Sequence, residues 1–215
     1  MQLAIYVDFD GTITTRDSLV TLINAFVPAE RRERDNRLLM MGERPLWELL
    51  DSSLRACGVP LDAAIAYLHD HVTLDPHFGP FDAWCRTRGI PLEVVSAGVF
   101  EIVESFLSGA GLALPIRANR AAPGAGCFGL TPEDARCPTG VDKGGVVRAG
   151  REAGRFTVFV GDGISDRLAV PEADLVYAKA GLARYCDKRG VPFIPFETFR
   201  DVQTDLAGRL GALAD

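Results

Sequence analysis

Two aspartates, Asp8 and Asp10, directly follow the apolar run Leu3–Val7. In an extended chain the side-chain period of two points both carboxylates the same way, so both can act on one substrate atom. An ionised carboxylate needs no base to attack phosphorus, and an aspartyl-phosphate splits one hard displacement into two easier ones. A second carboxylic acid beside it can protonate the leaving oxygen and later deprotonate water. These residue types at this spacing would support phosphoryl transfer, with one aspartate as nucleophile and the other as acid and base.

A second acidic pair, Asp162 and Asp166, follows the apolar run 156–160. Asp8, Asp162 and Asp166 brought together would repel one another and a phosphate dianion, so a hard cation is expected among them. Mg²⁺ fits, because it accepts oxygen ligands from carboxylates, waters and phosphate. Lys143, at an expected helix start, would hold phosphate as a point charge and offset Asp8. The Ser96-Ala97-Gly98 turn offers a hydroxyl and backbone N–H groups suited to phosphate oxygens.

Each residue also has a plainer reading. An aspartate at a strand end is often a turn former or helix cap, Ser96 could cap a helix starting at Val99, and a lone lysine is usually solvated. His69 and His71 flank Asp70, but i and i+2 on a helix do not face each other, so they read as surface histidines. Trp47 and Trp84 read as packing residues. Arg16, Arg37 and Arg44 could reach a substrate or simply sit in solvent. The capping reading leaves unexplained why both acid clusters end the two clearest strands.

The elements that must position these groups are legible as periodicity. Residues 3–7, 92–95, 115–118, 156–160, 175–178 and 192–194 read as short buried strands, and intervening segments read as helices. Residues 17–71 lack a strand signal and read as three or four helices, punctuated by Pro28, Pro45 and Pro60. The expectation is an α/β fold: a doubly wound, mostly parallel, Rossmann-like sheet with a small all-helical cap inserted after the first strand. The core would comprise residues 1–15 and 76–215, and the cap residues 16–75. The Gly- and Pro-rich stretch 121–140 reads as a loop and contains Cys127 and Cys137, which could approach each other.

The 215 residues suffice for one such core and an insert. A net charge of −6 gives no basic footprint, so nucleic acid is not expected as a partner. No apolar run approaches the ~20 residues of a membrane span, and no basic n-region precedes an apolar stretch. The expected setting is the cytoplasm, the expected partner a small phosphomonoester, and the oligomeric state stays open. Neither G-x-G-x-x-G nor G-x-x-x-x-G-K-[ST] follows the first strand, which sets aside a plain nucleotide-binding domain.

The sequence D-F-D-G-T, then S-A-G, then a lone lysine, then G-D-G-I-S-D resembles the four motifs of the haloacid dehalogenase-like hydrolase superfamily over residues 8–166. The first and fourth motifs together carry most of the specificity. The helical insert after the first motif resembles the small cap of the phosphoserine-phosphatase-like branch. F-D-G-T-I-T and S-A-G-V-F-E-I-V resemble the methionine-salvage phosphatases that act on 2-hydroxy-3-keto-5-methylthiopentenyl-1-phosphate. The resemblance implies Asp8 as nucleophile, Asp10 as acid/base, and Mg²⁺ held by Asp8, the Asp10 carbonyl and Asp162, with Asp166 orienting the metal shell.

The chain departs from that family in having only Cys137 near the motif lysine, where the family carries several cysteines. Asp17 falls where phosphoserine phosphatases place an acid near the substrate amine, so a phosphoserine phosphatase is an alternative, with Arg16 and Arg44 as further substrate contacts. Phosphotransfer to an acceptor alcohol would use the same first half-reaction. A catalytically silent phosphate-binding protein is the rival of another class. It would be expected to have lost Asp8, Asp10 or Asp162, and all are present.

Overall fold

The computed structural model describes residues 2–212. Its centre is strand β1 (Leu3–Val7), buried at every position and therefore apolar throughout. Four helices follow: α1 (Ser18–Phe26), α2 (Ala29–Met41), α3 (Leu46–Cys57) and α4 (Leu61–His71). Asp17 caps α1 by accepting from Val20 N at 2.8 Å, Pro45 and Pro60 immediately precede α3 and α4, and Gly42 and Gly58 close α2 and α3 in the left-handed conformation. The chain leaves and re-enters this block through adjacent segments. Thr15 N donates to Thr73 O at 2.9 Å and Asp75 N to Ile13 O at 2.8 Å.

Helix α5 (Phe78–Thr87) comes next. The sequence reading names no element there. Pro80 falls in the first helical turn, where a missing N–H costs nothing. The remaining elements are β2 (Leu92–Val99), α6 (Phe100–Gly109), β3 (Ile116–Gly124), β4 (Cys127–Thr131), α7 (Lys143–Glu152), β5 (Phe156–Gly161), β6 (Leu175–Ala178), α8 (Ala180–Arg189), β7 (Ile194–Pro195) and α9 (Phe199–Ala212). Seven strands form one sheet in the order β4-β3-β2-β1-β5-β6-β7, parallel except for the β3–β4 pair. This is the doubly wound, mostly parallel α/β fold. The strand order reverses beside β1, which places the crevice for ligands at the carboxyl ends of β1, β2 and β5.

The expected loop 121–140 is corrected: its first part is an antiparallel hairpin pairing Arg120–Gly124 with Cys127–Thr131. Beyond Asn119, β3 pairs with β4 alone, so one side of it has no ladder and tolerates Pro123. The hairpin packs on α3, where Asp51 Oδ1 accepts from Leu130 N at 2.8 Å, and the segment after it adds a bond from Trp47 N to Pro138 O at 3.3 Å. Cys127 and Cys137 are both free thiols. Among the described residues no helix is long and apolar enough to cross a membrane.

Candidate active site

Asp8 ends β1 and is almost fully buried. Its Oδ1 lies 2.5 Å from Lys143 Nζ, and the same ammonium lies 2.7 Å from Asp166 Oδ1. Lys143 begins α7, whose cap is Asp142, and neither Lys143 nor Asp166 is exposed at all. Asp166 Oδ2 turns the other way and accepts from Asp162 N and Gly163 N, both at 2.9 Å, which folds the loop after β5 back towards β1. Asp8, Asp162 and Asp166 thereby offer carboxylate oxygens within 4.8 Å of one another.

The turn after β1 depends on Gly11, which has φ +76° and on which a Cβ would stand 2.6 Å from Asp162 Oδ2. Asp10 Oδ1 accepts from Ser18 N at 2.9 Å and from the Ser18 hydroxyl. Its Oδ2 points at Gly98, where a Cβ would lie 2.6 Å away, so the absence of a side chain there makes room for the carboxylate. Ser96 is buried in β2 and its Oγ accepts from Gly98 N at 2.9 Å. It does not cap the next helix: α6 begins at Phe100, preceded by Val99.

The electrostatics follow from this crowding. Burial, then repulsion from Asp166, pushes the Asp8 carboxyl well up in the absence of a cation, against the pull of Lys143. Asp162 is pushed up to about 7 by burial and Asp166. Burial raises Asp10 as well, partly offset by the Ser18 hydrogen bonds, and raises Asp17 to about 7 with help from Asp10. Burial alone would lower Lys143, but Asp166 and Asp8 outweigh it and keep the ammonium charged. Two buried carboxylates sharing one ammonium, with the partly buried Asp162 beside them, form an oxygen-rich site short of positive charge. That donor set fits Mg²⁺, whose charge would reverse the upward shifts.

A cavity of about 300 Å³ opens at this point, and Asp8, Asp10, Ser96, Ala97, Gly98 and Asp162 line its core side. Asp17 also lines it, while its Oδ1 caps α1. Two residues singled out in the sequence do not reach it. Arg16 is exposed on the outer face of α1's start, and Arg44 pairs with Glu48 at 3.0 Å one turn into α3. Arg37 is exposed as well. His69 bonds Ser105 Oγ at 2.6 Å and His71 bonds Tyr67 O at 2.7 Å, away from the cavity.

Two residues escaped the sequence reading. Lys179 donates to Thr12 O at 3.3 Å and adds a second cation near Asp162; it directly follows β6, so the strand-end rule that found Asp8 would have found it. Arg32 lines the cavity from α2 and had no such signal, standing among Arg31, Arg34 and interspersed acids.

Comparison with known proteins agrees with this geometry. The 2-hydroxy-3-keto-5-methylthiopentenyl-1-phosphate phosphatase of Brevibacillus brevis is 31% identical over 94% of this chain and 93% of its own. That of Bacillus cereus is 29% identical over 98% and 99%. A phosphoserine phosphatase solved as a phospho-aspartyl intermediate analogue superimposes with TM-score 0.69 at 19% identity, covering 94% of this chain and 98% of that one, and so shares the fold. A probable phosphoserine phosphatase from Vibrio cholerae gives 0.71 at 17%, covering 100% and 67%. The family model for haloacid dehalogenase-like hydrolases matches residues 5–170, the segment that supplies every carboxylate of the cluster, and the chain belongs to that family as a phosphatase.

Proposed function

We propose that the protein hydrolyses 2-hydroxy-3-keto-5-methylthiopentenyl-1-phosphate through an aspartyl-phosphate on Asp8. The observation that carries the reaction is the convergence of Asp8 and Asp10 on one cavity, with Lys143, Asp162 and Asp166 behind them. Asp8 attacks phosphorus, and the Asp10 carboxyl gives its proton to the leaving oxygen. Asp10 then takes a proton from the water that attacks the phospho-enzyme, releasing inorganic phosphate and regenerating Asp8. Lys143 pulls Asp8 towards its ionised form and holds it in place. The Ser96 hydroxyl and the Ala97 N–H receive phosphate oxygens, while Gly98, whose N–H is taken by Ser96 Oγ, closes the turn. Asp8, the Asp10 carbonyl, Asp162 and Asp166 would hold Mg²⁺, which when bound supplies charge neutralisation to the phosphoryl oxygens.

The substrate reading draws on the names of the full-length relatives and on the cavity itself. Residues 16–75 act as a cap over the site, and α1–α3 present Leu19, Ile23, Leu46, Leu49 and Leu50 to the cavity, a wall suited to a methylthio-alkyl chain. Free cysteines, four of them buried, accord with a cytoplasmic setting.

The first test is hydrolysis of p-nitrophenyl phosphate by wild type and Asp8→Asn, each with Mg²⁺ and with chelator, followed by the methylthiopentenyl phosphate beside phosphoserine. Activity that requires both Mg²⁺ and Asp8, with kcat/KM highest for the methylthiopentenyl ester, is expected. Turnover by purified Asp8→Asn at a rate near wild type would remove the covalent mechanism. A preference for phosphoserine would move the substrate to the alternative that Asp17 suggests.

A further inference from the structure

Five carboxylates line the cavity, Asp8, Asp10, Asp17, Asp35 and Asp162, and Arg32 is the one cation among the described residues that does so. Arg32 projects from α2 into an enclosure otherwise lined by aliphatic, acidic and neutral polar residues. Its Nη1 donates to Asn24 Oδ1, which fixes the guanidinium, yet its Nε is buried without a hydrogen-bond partner among the described residues. A buried charged donor left unpaired is costly, and most such groups in folded proteins are satisfied by some partner. The neighbouring carboxylate is not that partner. Asp35 is engaged by Arg34 at 3.1 Å and by Ser53 Oγ at 3.3 Å.

We propose that Arg32 is the specificity-determining residue of the cap. The edge that carries Nε receives two adjacent, uncharged oxygens of the substrate's organic part, as an α-hydroxycarbonyl presents them. A guanidinium edge donates in parallel pairs, so it reads two neighbouring oxygens better than one. A carboxylate would offer the same pair, but it would add a negative charge to a cavity that already carries five carboxylates and must take a phosphate as well. The aliphatic wall from α1 and α3 then takes the rest of the chain. The substrate class is a phosphomonoester of a small hydroxyketone with an apolar tail. This inference rests on the phosphatase reading above.

The test compares kcat/KM for 2-hydroxy-3-oxohexyl phosphate, hexyl phosphate and phosphoserine in wild type, Arg32→Leu and Arg32→Lys, with p-nitrophenyl phosphate as a common reference. Wild type is expected to prefer the hydroxyketone ester over hexyl phosphate. Arg32→Leu should reduce that ratio about 10- to 100-fold, mostly through KM, the range expected for a hydrogen bond to a charged group. Arg32→Lys should recover only part of it, because an ammonium lacks the paired edge. Circular dichroism identifies a misfolded variant, and if Arg32→Leu fails to fold the lysine variant carries the comparison. An unchanged ratio in a folded variant would overturn the proposal, as would a wild-type preference for phosphoserine that Arg32→Leu abolishes. Absence of hydrolysis of all four esters by wild type would instead remove the phosphatase reading on which the proposal stands.

Discussion

Lys143 Nζ stands 2.7 Å from Asp166 Oδ1, and neither side chain has any solvent exposure. With Asp8 on its other side, this ammonium is what allows two acids to be buried together. Removing one member of a buried ion pair leaves an uncompensated charge and costs about 3–5 kcal/mol, whereas removing both can be nearly neutral. Lys143→Met is therefore expected to lose about that much stability in urea unfolding without metal. The double variant Lys143→Met/Asp166→Asn, which removes both charges but keeps an acceptor for Asp162 N and Gly163 N, should lose less than Lys143→Met alone. Additive losses would show that the pair contributes nothing specific.

The same carboxylates predict a sign reversal at Asp162. Without metal, burial and Asp166 hold its carboxyl near 7, so its charge at neutral pH is a cost, and Asp162→Asn should raise the melting temperature. With Mg²⁺ at about 100 times its dissociation constant, wild type should gain about 2.7 kcal/mol, or roughly 5–10 °C for a chain of this size. Asp162→Asn should gain much less. Thermal scans with Mg²⁺ and with chelator read both effects, and an equal Mg²⁺ gain in the two proteins would exclude Asp162 from the metal site.

Gly98 tests how tightly Asp10 is placed. A methyl at this position would come within 2.6 Å of Asp10 Oδ2 and 3.0 Å of Ser96 Oγ, while the backbone angle itself accepts alanine. Gly98→Ala should thus displace the Asp10 carboxylate with little change in fold. Acid–base catalysis is worth about 10²–10⁴-fold, so kcat should fall by a large part of that range. A variant with wild-type kcat would show that Asp10 does not need its observed position.

What the sequence made legible follows a physical pattern. Strands β1 and β5 are buried on both faces, so they read as apolar runs broken only by Thr157, and acids placed at their ends were conspicuous. The β3–β4 hairpin was not legible, because Pro123, Gly124, Gly126 and Gly129 imitate a loop until their pairing is seen. Helix α2 was the least readable part of the site. Its stretch 30–37 is polar throughout, with Asp35 the sole buried residue of the helix, so no periodicity distinguishes inward Arg32 from outward Arg37. Spacing locates groups that leave strand ends; it does not tell which arginine of a polar helix faces a cavity.

Away from the cavity, Asp82 on α5 predicts a pH-dependent gain. The residue is fully buried, its Oδ1 has no hydrogen-bond partner among the described residues, and its Oδ2 faces the largely exposed Arg86 Nη2 at 2.9 Å. Burial pushes the carboxyl up, and Arg86 offsets this only in part because its attraction is screened by solvent. A carboxyl whose folded pKa exceeds its unfolded value of about 3.9 favours folding below that value and loses the benefit as pH rises through the folded one. At neutral pH the ionised group is thus a cost that Asp82→Asn removes, leaving an uncharged amide in its place. The variant should exceed wild type by on the order of 1 kcal/mol at pH 7, and the difference should shrink towards about pH 4. Urea unfolding across pH 4.5–8 measures it. A difference that stays constant with pH, or wild type remaining the more stable protein at pH 8, would mean that Arg86 holds Asp82 ionised without penalty.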